Sequence, residues 1–365
     1  MKGPLALRWR PFHVCLPQPL VTARGVVVDR SGWLLQLEAA DGRLGWGEAA
    51  PLEPAAAQAS GSPPIAAAAR PPGAEPRSTW GHAPRPWGTA QRACAAAIAT
   101  LGPRAQWREL EEALPQLPAP LAFAIGAALA ELQGLVGEAA GGWGTAPASA
   151  WLLPAGEAMV PALEAWLAPL EPMEEQGPGP TLKWKVATGD DRLERELLEQ
   201  LLLRMPAGGR LRLDANGGWD RATAAGWAER LAGEPRLDWL EQPLAADDLE
   251  GLTALAAQLP VALDESLVHE PGLRERWTGW QVRRPALEGD PRPLLAALAA
   301  GRPRWMVSTA FETSVGRRLV DHAAALQWRG PTPTAPGLAP QWRPQGPLFD
   351  GDPASAWAAL AEGER

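Results

Sequence analysis

Three short apolar runs each end in an acidic residue, and their spacing constrains the fold more than any other feature of the chain. The runs end at Asp214, Glu241 and Asp264, so the acidic residues are 27 and 23 residues apart. Each interval accommodates one strand, one helix and two loops of a repeating β/α unit. The sequence therefore predicts three successive parallel strands, each with a carboxylate at the C-terminal end, where (β/α) barrels carry their active sites.

These three carboxylates indicate a metal site. Negative charges that converge at one end of a barrel repel one another unless a cation lies between them. Oxygen ligands favour a hard divalent cation such as Mg²⁺, with Mn²⁺ as a substitute, over zinc. We therefore expect Asp214, Glu241 and Asp264 to bind Mg²⁺ and to leave coordination positions for substrate oxygens. The alternative is that these side chains cap the helices that follow the strands.

A regular alternation of strands and helices is predicted for residues 146–325, the expected catalytic domain. Amphipathic segments at 192–203 and 221–231 are typical of the helices in such a repeat. This alternation indicates a parallel sheet with right-handed crossovers. Apolar runs predict the strands at 150–153, 181–186, 210–214, 237–241, 260–264, 280–284 and 304–308.

The flanking segments predict a second, α+β domain over residues 1–145. Its first part alternates apolar and polar residues, which predicts an antiparallel meander, and helices are expected at 91–100 and 121–135. The Ala/Pro-rich tract 54–89 is interpreted as a flexible loop. The C-terminal segment 326–365 is expected to return to this domain.

Composition and charge exclude several classes of partner. The net charge of −8 comes without a basic stripe, so nucleic acid is not an expected partner. No apolar run of about 18 residues occurs, so we expect no membrane span. Cys15 and Cys94 are far apart and form no CxxC motif, which indicates reduced thiols and a cytoplasmic protein. The oligomeric state is left open.

Two lysines stand at alternate positions of the strand that precedes the Asp214 strand. Lys183 and Lys185 should point to the same face and reach the barrel mouth beside the metal. A Lys-x-Lys pair alone more often marks a solvated strand, but most basic residues of this chain are arginines. A neighbouring cation lowers the proton affinity of an amine, so Lys183 would make Lys185 a better base.

Six motifs carry a resemblance to a known family, in order along the chain. They are WGEAAPL at 46–52, LKWK at 182–185, LDANGGW at 213–219, LEQPL at 240–244, LDESL at 263–267 and STAFETSVG at 308–316. Together they resemble the enolase superfamily and, more narrowly, its o-succinylbenzoate synthase family. The resemblance implies an α/β fold in which an α+β capping domain covers a modified (β/α) TIM-like barrel.

The resemblance also implies an activity. It is the Mg²⁺-dependent dehydration of 2-succinyl-6-hydroxy-2,4-cyclohexadiene-1-carboxylate to 2-succinylbenzoate, a hydro-lyase reaction of menaquinone and phylloquinone biosynthesis. The substrate is therefore expected to be a small-molecule carboxylate. By resemblance, Lys185 is the acid/base and Lys183 its electrostatic partner.

Further residues are assigned to the substrate or to its surroundings, Asn216 and Arg24 by their positions in the sequence and the others by the same resemblance. Asn216 is expected to orient the metal ligands or the lysines. Ser308, Thr309 and the backbone around Gly289 are expected to contact the substrate carboxylate. Arg24, near the first strand turn, is expected to close over an anionic substrate.

One position departs from the family pattern and is informative about the chemistry. The family places another catalytic lysine before a proline on the sixth barrel strand, where this chain has Arg284. Arginine stays protonated and is a poor base, so a base is expected on one face of the substrate only. That disfavours the alternative activities, N-acylamino acid racemase or dipeptide epimerase, and is compatible with dehydration. A non-catalytic metal-binding barrel is a further alternative.

Overall fold

The computed structural model describes residues 3–22, 25–54, 88–168 and 179–362. Nearly all of the predicted flexible loop 54–89 therefore lies outside the described residues, and so does Arg24.

The N-terminal part forms a four-stranded antiparallel sheet in the order β3-β2-β1-β4. Its strands are β1 (Pro4–Thr22), β2 (Gly25–Ala39), β3 (Leu44–Ala49) and β4 (Arg104–Gln106). The first three are consecutive neighbours, which confirms the predicted meander.

Three helices cover this sheet: α1 (Thr89–Leu101), α2 (Trp107–Ala113) and α3 (Ala119–Leu132). Helix α3 lies directly on β3, because both elements present small residues at the contact. A Cβ atom added to Gly47 would lie only 2.0 Å from the carbonyl oxygen of Ala124. Glycine at this position thus permits a close approach of strand and helix that no other residue allows.

The second sheet has seven strands in sequence order, with every neighbouring pair parallel. All seven predicted strands are confirmed. They are β5 (Trp151–Leu153), β6 (Thr181–Lys185), β7 (Arg210–Asp214), β8 (Leu237–Glu241), β9 (Val261–Leu263), β10 (Trp280–Arg283) and β11 (Trp305–Val307).

The connections between these strands are helical, as the β/α repeat requires. Asp190, Asp220 and Asp248 start α5, α6 and α7 by accepting a hydrogen bond from a backbone N–H in the first turn. The helices of these connections are α4 (Met159–Leu167), α5 (Asp191–Arg204), α6 (Arg221–Leu231), α7 (Leu249–Ala256), α8 (Glu265–His269), α9 (Leu273–Arg276) and α10 (Arg292–Ala299). Three more helices follow the last strand: α11 (Ser314–Trp328), α12 (Pro347–Asp350) and α13 (Pro353–Glu362). Short 3₁₀ helices span Leu114–Gln116, Glu138–Ala140, Gly156–Ala158, Pro285–Leu287 and Pro340–Trp342.

The C-terminal segment spans the gap between the two edge strands of the parallel sheet. On one side, the backbone N–H of Gly337 donates to Val307 of β11. On the other side, the N–H of Ala150, just before β5, donates to the carbonyl of Pro336. Residues 336–338 therefore complete the barrel wall at the position of an eighth strand.

The remainder of that segment packs against the N-terminal sheet. Helices α12 and α13 share a buried apolar cluster with β1, β2 and β3, whose members are Phe12, Val14, Leu34, Trp46, Ala50, Val315, Leu348, Phe349, Ala356 and Leu360. Both ends of the chain thus contribute to the cap, and Val315 of α11 connects this cluster to the barrel.

Alternation along the barrel strands separates an outer core from an inner one. Trp184 and its outward-facing neighbours pack against the surrounding helices. The inner face is filled by a smaller apolar cluster around Trp239, Val282 and Met306, and the buried Arg212 guanidinium lies 4.1 Å from the Trp239 ring. This filling occupies the lower part of the barrel interior, opposite the C-terminal mouth.

Candidate active site

A cavity of about 310 Å³ lies at the C-terminal mouth of the barrel. The cap contributes apolar residues from the ends of β1 and β3, including Leu20 and Leu52, and the barrel contributes charge. The polar residues that the barrel places on the cavity wall are Lys183, Lys185, Asp214, Asn216, Asp264, Glu265, Arg284, Ser308 and Thr309. The site thus has a charged floor beneath a mainly apolar cover, in which Thr22 and Glu53 are the polar residues, an arrangement typical of small-molecule sites.

Lys183 lies between two of the predicted metal ligands. Its Nζ is 2.8 Å from Asp214 Oδ2 and donates a hydrogen bond of 2.7 Å to Glu241 Oε1. These carboxylates are adjacent because Asp214 and Glu241 are register partners of neighbouring parallel strands. Burial opposes the charge on Lys183, but Asp214 and Glu241 outweigh it and raise the lysine's pKa.

The pKa values of Asp214 and Glu241 are shifted in opposite directions. Burial raises the pKa of Glu241 above its usual value, and the negative charges of Asp214 and Asp264 add to this effect, against Lys183. Burial also acts on Asp214, but there Lys183 and Lys185 outweigh it, so the pKa of Asp214 is lowered. Of the two carboxyl groups, Asp214 therefore loses its proton more readily.

The third predicted ligand, Asp264, is held by Arg284. Arg284 Nε donates to Asp264 Oδ1 at 3.0 Å, and a second contact joins Nη2 to Oδ2. Arg284 Nη1 also donates to the carbonyl of Thr309 at 2.8 Å. Burial opposes the charge, yet Asp264 raises the pKa of Arg284, which therefore stays cationic. Arg283 lies on the opposite face, 3.9 Å from the Trp305 ring.

The three predicted ligands offer the type of donor atom that a divalent cation such as Mg²⁺ prefers. Asp214, Glu241 and Asp264 supply buried oxygen atoms, and Asp264, although it precedes α8, makes no side-chain cap to that helix. The capping alternative therefore does not account for Asp264. Within the described ranges, no three acidic, His or Cys side chains already stand close enough together to enclose a metal ion. Lys183 and Arg284 neutralise these carboxylates instead, so a metal would share or replace their contacts.

Lys185 lies beside this group but bonds differently. Its Nζ donates to Asn216 Oδ1 at 2.9 Å, and Asn216 Nδ2 donates to Glu265 Oε1 at 3.2 Å. Burial lowers the pKa of Lys185, and the charges of Lys183 and Arg284 act in the same direction, against Asp214. The structure thus distinguishes two lysines of one strand, with Lys183 held as a cation and Lys185 inclined to lose its proton.

Glu265 was missed by the sequence reasoning, although it directly follows Asp264. Burial and the nearby charges of Asp264 and Asp214 raise the pKa of Glu265 to about 8. Its only signal in the sequence was this adjacency to a predicted metal ligand at the start of a helix.

The residues expected to contact the substrate are placed unequally. Ser308 and Thr309 line the cavity; Ser308 Oγ donates to the carbonyl of Gly337 at 3.0 Å, and Thr309 Oγ1 donates to Glu312 Oε2 at 2.5 Å. Leu287 lines the cavity, whereas Gly289 is not among its lining residues. The contacts of Gly289 and of Arg24, which lies outside the described residues, stay predictions.

Comparison with known proteins places the chain among its relatives. The family model described as "Enolase C-terminal domain-like" matches residues 171–276. An o-succinylbenzoate synthase from Thermosynechococcus vestitus is 33% identical over 325 residues, which cover 86% of this chain and 87% of that protein. The chain belongs to the o-succinylbenzoate synthase family of the enolase superfamily.

A solved member of the same family supports the assignment over the whole fold. The crystal structure of o-succinylbenzoate synthase from Thermosynechococcus elongatus BP-1, complexed with Mg in the active site, matches with a TM-score of 0.71 and 28% identity. The match covers 98% of this chain and 99% of that one. The expected architecture of an α+β cap on a modified barrel is therefore confirmed.

More distant members share the scaffold. The L-Ala-D/L-Glu epimerase of Bacillus subtilis matches with a TM-score of 0.65 at 20% identity, covering 94% of this chain and 92% of that one, which shows the common fold alone. An N-succinyl-L-Arg/Lys racemase from Bacillus cereus is 33% identical over 67 residues, or 18% of each chain. Separately, no described helix is both long and apolar enough to cross a membrane.

Proposed function

We propose that this protein is a hydro-lyase that dehydrates 2-succinyl-6-hydroxy-2,4-cyclohexadiene-1-carboxylate to 2-succinylbenzoate. The proposal is supported by the relation to an o-succinylbenzoate synthase over 86% of the chain. The observation that carries it is that the two sides of the cavity bear different basic groups, a lysine amine on one and an arginine guanidinium on the other. Lys185 lies on β6, and Arg284 follows β10 on the far side of the intervening strands.

Asp214, Glu241 and Asp264 would hold Mg²⁺, or Mn²⁺ in its place. When bound, the divalent ion would stabilise negative charge on the substrate carboxylate during proton removal. The buried positions of these three side chains support this assignment, since a water-poor site strengthens each electrostatic contact.

Lys185 would remove the proton from the carbon next to the substrate carboxylate. Burial and the adjacent cations favour its neutral form, and the amide of Asn216 fixes its Nζ. The C–H bond breaks first; the C–O bond of the hydroxyl group breaks next, and the leaving oxygen takes the proton back from Lys185 as water departs. The ring becomes aromatic, and one amine serves both proton transfers.

Arg284 would stabilise the ring on the other side without exchanging protons. Its guanidinium is fixed by Asp264 and by the Thr309 carbonyl, and it stays charged. A planar cation over an unsaturated ring is a favourable electrostatic contact. Ser308, Thr309 and the backbone near Gly289 would contact substrate oxygens, and Arg24 would close over the anionic substrate.

The reaction belongs to menaquinone or phylloquinone biosynthesis in this proposal, and we place it in the cytoplasm. Cys15 and Cys94, the two cysteines of the chain, are not joined in a disulfide, which supports a reducing compartment. The partner is a small carboxylate, and the net charge of −8 supports no role with nucleic acid.

An N-acylamino acid racemase or dipeptide epimerase is the second candidate activity, favoured by the short match to a racemase. It requires a proton donor and acceptor on both faces of the substrate carbon. Arg284 supplies neither, because an arginine does not deprotonate in a protein. A barrel that binds metal without catalysis would not need the different proton affinities of Lys183 and Lys185.

The test is an assay of the purified protein with the cyclohexadiene substrate and Mg²⁺, following the ultraviolet absorbance of the aromatic product. We expect turnover that is abolished by chelator and restored by Mg²⁺ or Mn²⁺. Glu241→Gln should fold but bind Mg²⁺ poorly in a calorimetric titration and lose turnover. The matched control is Glu199→Gln, at an ion pair with Arg230 on the outer surface. Turnover undiminished in excess chelator would overturn the metal assignment.

A further inference from the structure

Glu265 presents a buried carboxylate oxygen that nothing in the described structure satisfies. The residue lines the active-site cavity, and its Oε2 atom is buried without a hydrogen-bond partner within the described residues. Leaving a buried polar atom unpaired costs about 1–3 kcal/mol. This unpaired oxygen is a cost to the stability of the fold, which points to a role of Glu265 in the site.

The other oxygen of Glu265 ends a chain of hydrogen bonds that begins at the proposed base. Lys185 Nζ donates to Asn216 Oδ1 at 2.9 Å, and Asn216 Nδ2 donates to Glu265 Oε1 at 3.2 Å. The amide of Asn216 thus receives a donor on one side and an acceptor on the other.

That arrangement fixes which way the Asn216 amide points. With Lys185 as an ammonium and Glu265 as a carboxylate, a reversed amide would set its NH₂ group against the ammonium and its oxygen against the carboxylate, and both contacts would be repulsive. Glu265 accepts from the NH₂ group in either protonation state, since a carboxyl group always offers an acceptor oxygen.

The backbone of Asn216 is fixed independently of its side chain. Its φ of 46° lies in the left-handed region that Asn tolerates, and its N–H donates to Asp214 Oδ1 at 3.0 Å. The side-chain amide can therefore turn about its own bonds, and the hydrogen bonds with Lys185 and Glu265 are what hold its orientation.

We propose that Glu265 is a positioning residue: by accepting from Asn216 Nδ2 it orients the Asn216 amide oxygen toward Lys185 and so aims the proposed base at the substrate. This inference rests on the proposed function for its catalytic consequence, but the orientation itself can be measured without a substrate.

The experiment uses four variants of the full chain, Glu265→Leu, Glu265→Gln, Asn216→Gly and the Glu265→Leu/Asn216→Gly double variant. Leucine removes the acceptor, whereas glutamine keeps an acceptor oxygen at nearly the same place. Glycine removes the amide while tolerating the left-handed backbone of residue 216.

The expected result is a loss of about 10- to 100-fold in kcat for Glu265→Leu and for Asn216→Gly, with KM and calorimetric Mg²⁺ affinity close to wild type. Glu265→Gln should retain most of the turnover. The double variant should be no slower than Asn216→Gly alone, because Glu265 acts through that amide.

Other outcomes overturn the proposal. Multiplied losses in the double variant would show that Glu265 acts without Asn216. Equal losses in Glu265→Gln and Glu265→Leu would show that its charge matters rather than its hydrogen bond, and a parallel loss of Mg²⁺ affinity would make it part of the metal site.

A substrate-free readout separates this proposal from the proposed function. The rate at which cyanate carbamoylates Lys185 at one fixed pH is followed by mass spectrometry. It should change by the same factor in Glu265→Leu and Asn216→Gly, should not change further in the double variant, and should stay near wild type in Glu265→Gln. An unchanged rate in all variants would refute the orientation of Lys185 by Glu265, whether or not the wild-type protein dehydrates the cyclohexadiene substrate.

Discussion

Replacing Lys183 with methionine should destabilise the metal-free protein and increase the stabilisation that Mg²⁺ provides. Lys183 has a side chain only 14% exposed and lies between Asp214 and Glu241, whose side chains are 3% and 0% exposed. Removing one partner of a buried ion pair typically costs about 3–5 kcal/mol, because the remaining charge is left uncompensated. Here two carboxylates lose the same partner, so we expect the upper part of that range.

Added Mg²⁺ should recover much of this loss, since it binds the carboxylates that the lysine had neutralised. At a Mg²⁺ concentration 100 times its Kd, binding to the native state alone contributes about 2.7 kcal/mol. In the variant the ion no longer competes with an ammonium group, so its affinity should rise by about tenfold, or about 1.4 kcal/mol.

The assay is urea denaturation with and without chelator, combined with calorimetric titration of Mg²⁺. The control is Arg210→Met on the neighbouring strand, where the partly exposed ion pair with Asp238 should contribute only about 0–1 kcal/mol, with no dependence on Mg²⁺. A Lys183→Met variant as stable in chelator as wild type, with unchanged Mg²⁺ affinity, would refute the account of Lys183 as a cation that holds the metal ligands together.

Three further predictions address the cap and the far side of the cavity. Burial raises the pKa of Glu48 from 4.5 to about 7, so its contribution to stability is complete below pH 4.5 and is lost as the pH rises to 7. In urea denaturation, Glu48→Gln should therefore remove a fall of about 3 kcal/mol in the free energy of unfolding between these pH values. An unchanged pH profile in the variant would contradict the shift. Gly47→Ala should destabilise the protein by at least about 1–3 kcal/mol in the same denaturation assay, because its Cβ would meet the Ala124 carbonyl at 2.0 Å. Arg284→Lys should keep measurable dehydration, whereas Arg284→Met should lower kcat without stopping exchange of the substrate α-proton with solvent deuterium; no loss in the methionine variant would show that the cation is not used.

The fold was predictable because its signals are periodic and local. Each predicted barrel strand is a short run rich in apolar residues, and three of these runs end in an acidic residue, at Asp214, Glu241 and Asp264. The spacing of these ends encodes the β/α repeat, and the capping aspartates mark the helix starts. Such signals survive without knowledge of long-range contacts.

The contacts within the site could not be predicted, because they depend on distances across the barrel. Alternation places Lys183 and Lys185 on one face but does not reveal that the first reaches two carboxylates and the second an amide. The bond between Arg284 and Asp264 likewise joins residues on neighbouring elements with no sequence signature. Glu265 was missed because adjacency to a predicted metal ligand is too weak a signal to assign a function.

The segment that closes the barrel could not be predicted from the sequence pattern either. The segment at 336–338 has no apolar run of strand length. Its backbone bonds with Val307 and Thr309 on one side and with Ala150, just before β5, on the other. Its Pro and Gly residues read as loop, and only the gap between the two edge strands makes it part of the wall.

The central claim, that Lys185 is the one base of a dehydratase, is tested most directly by comparing two rates of the unmodified protein. With Mg²⁺ present, dehydration of the cyclohexadiene substrate is followed by absorbance, and racemisation of an N-succinylamino acid is followed by circular dichroism. We predict rapid dehydration and no measurable racemisation, with dehydration lowered by about 10²–10⁴-fold in Lys185→Ala. Racemisation at a rate comparable with dehydration would reveal a second base opposite Lys185 and would contradict the one-base mechanism.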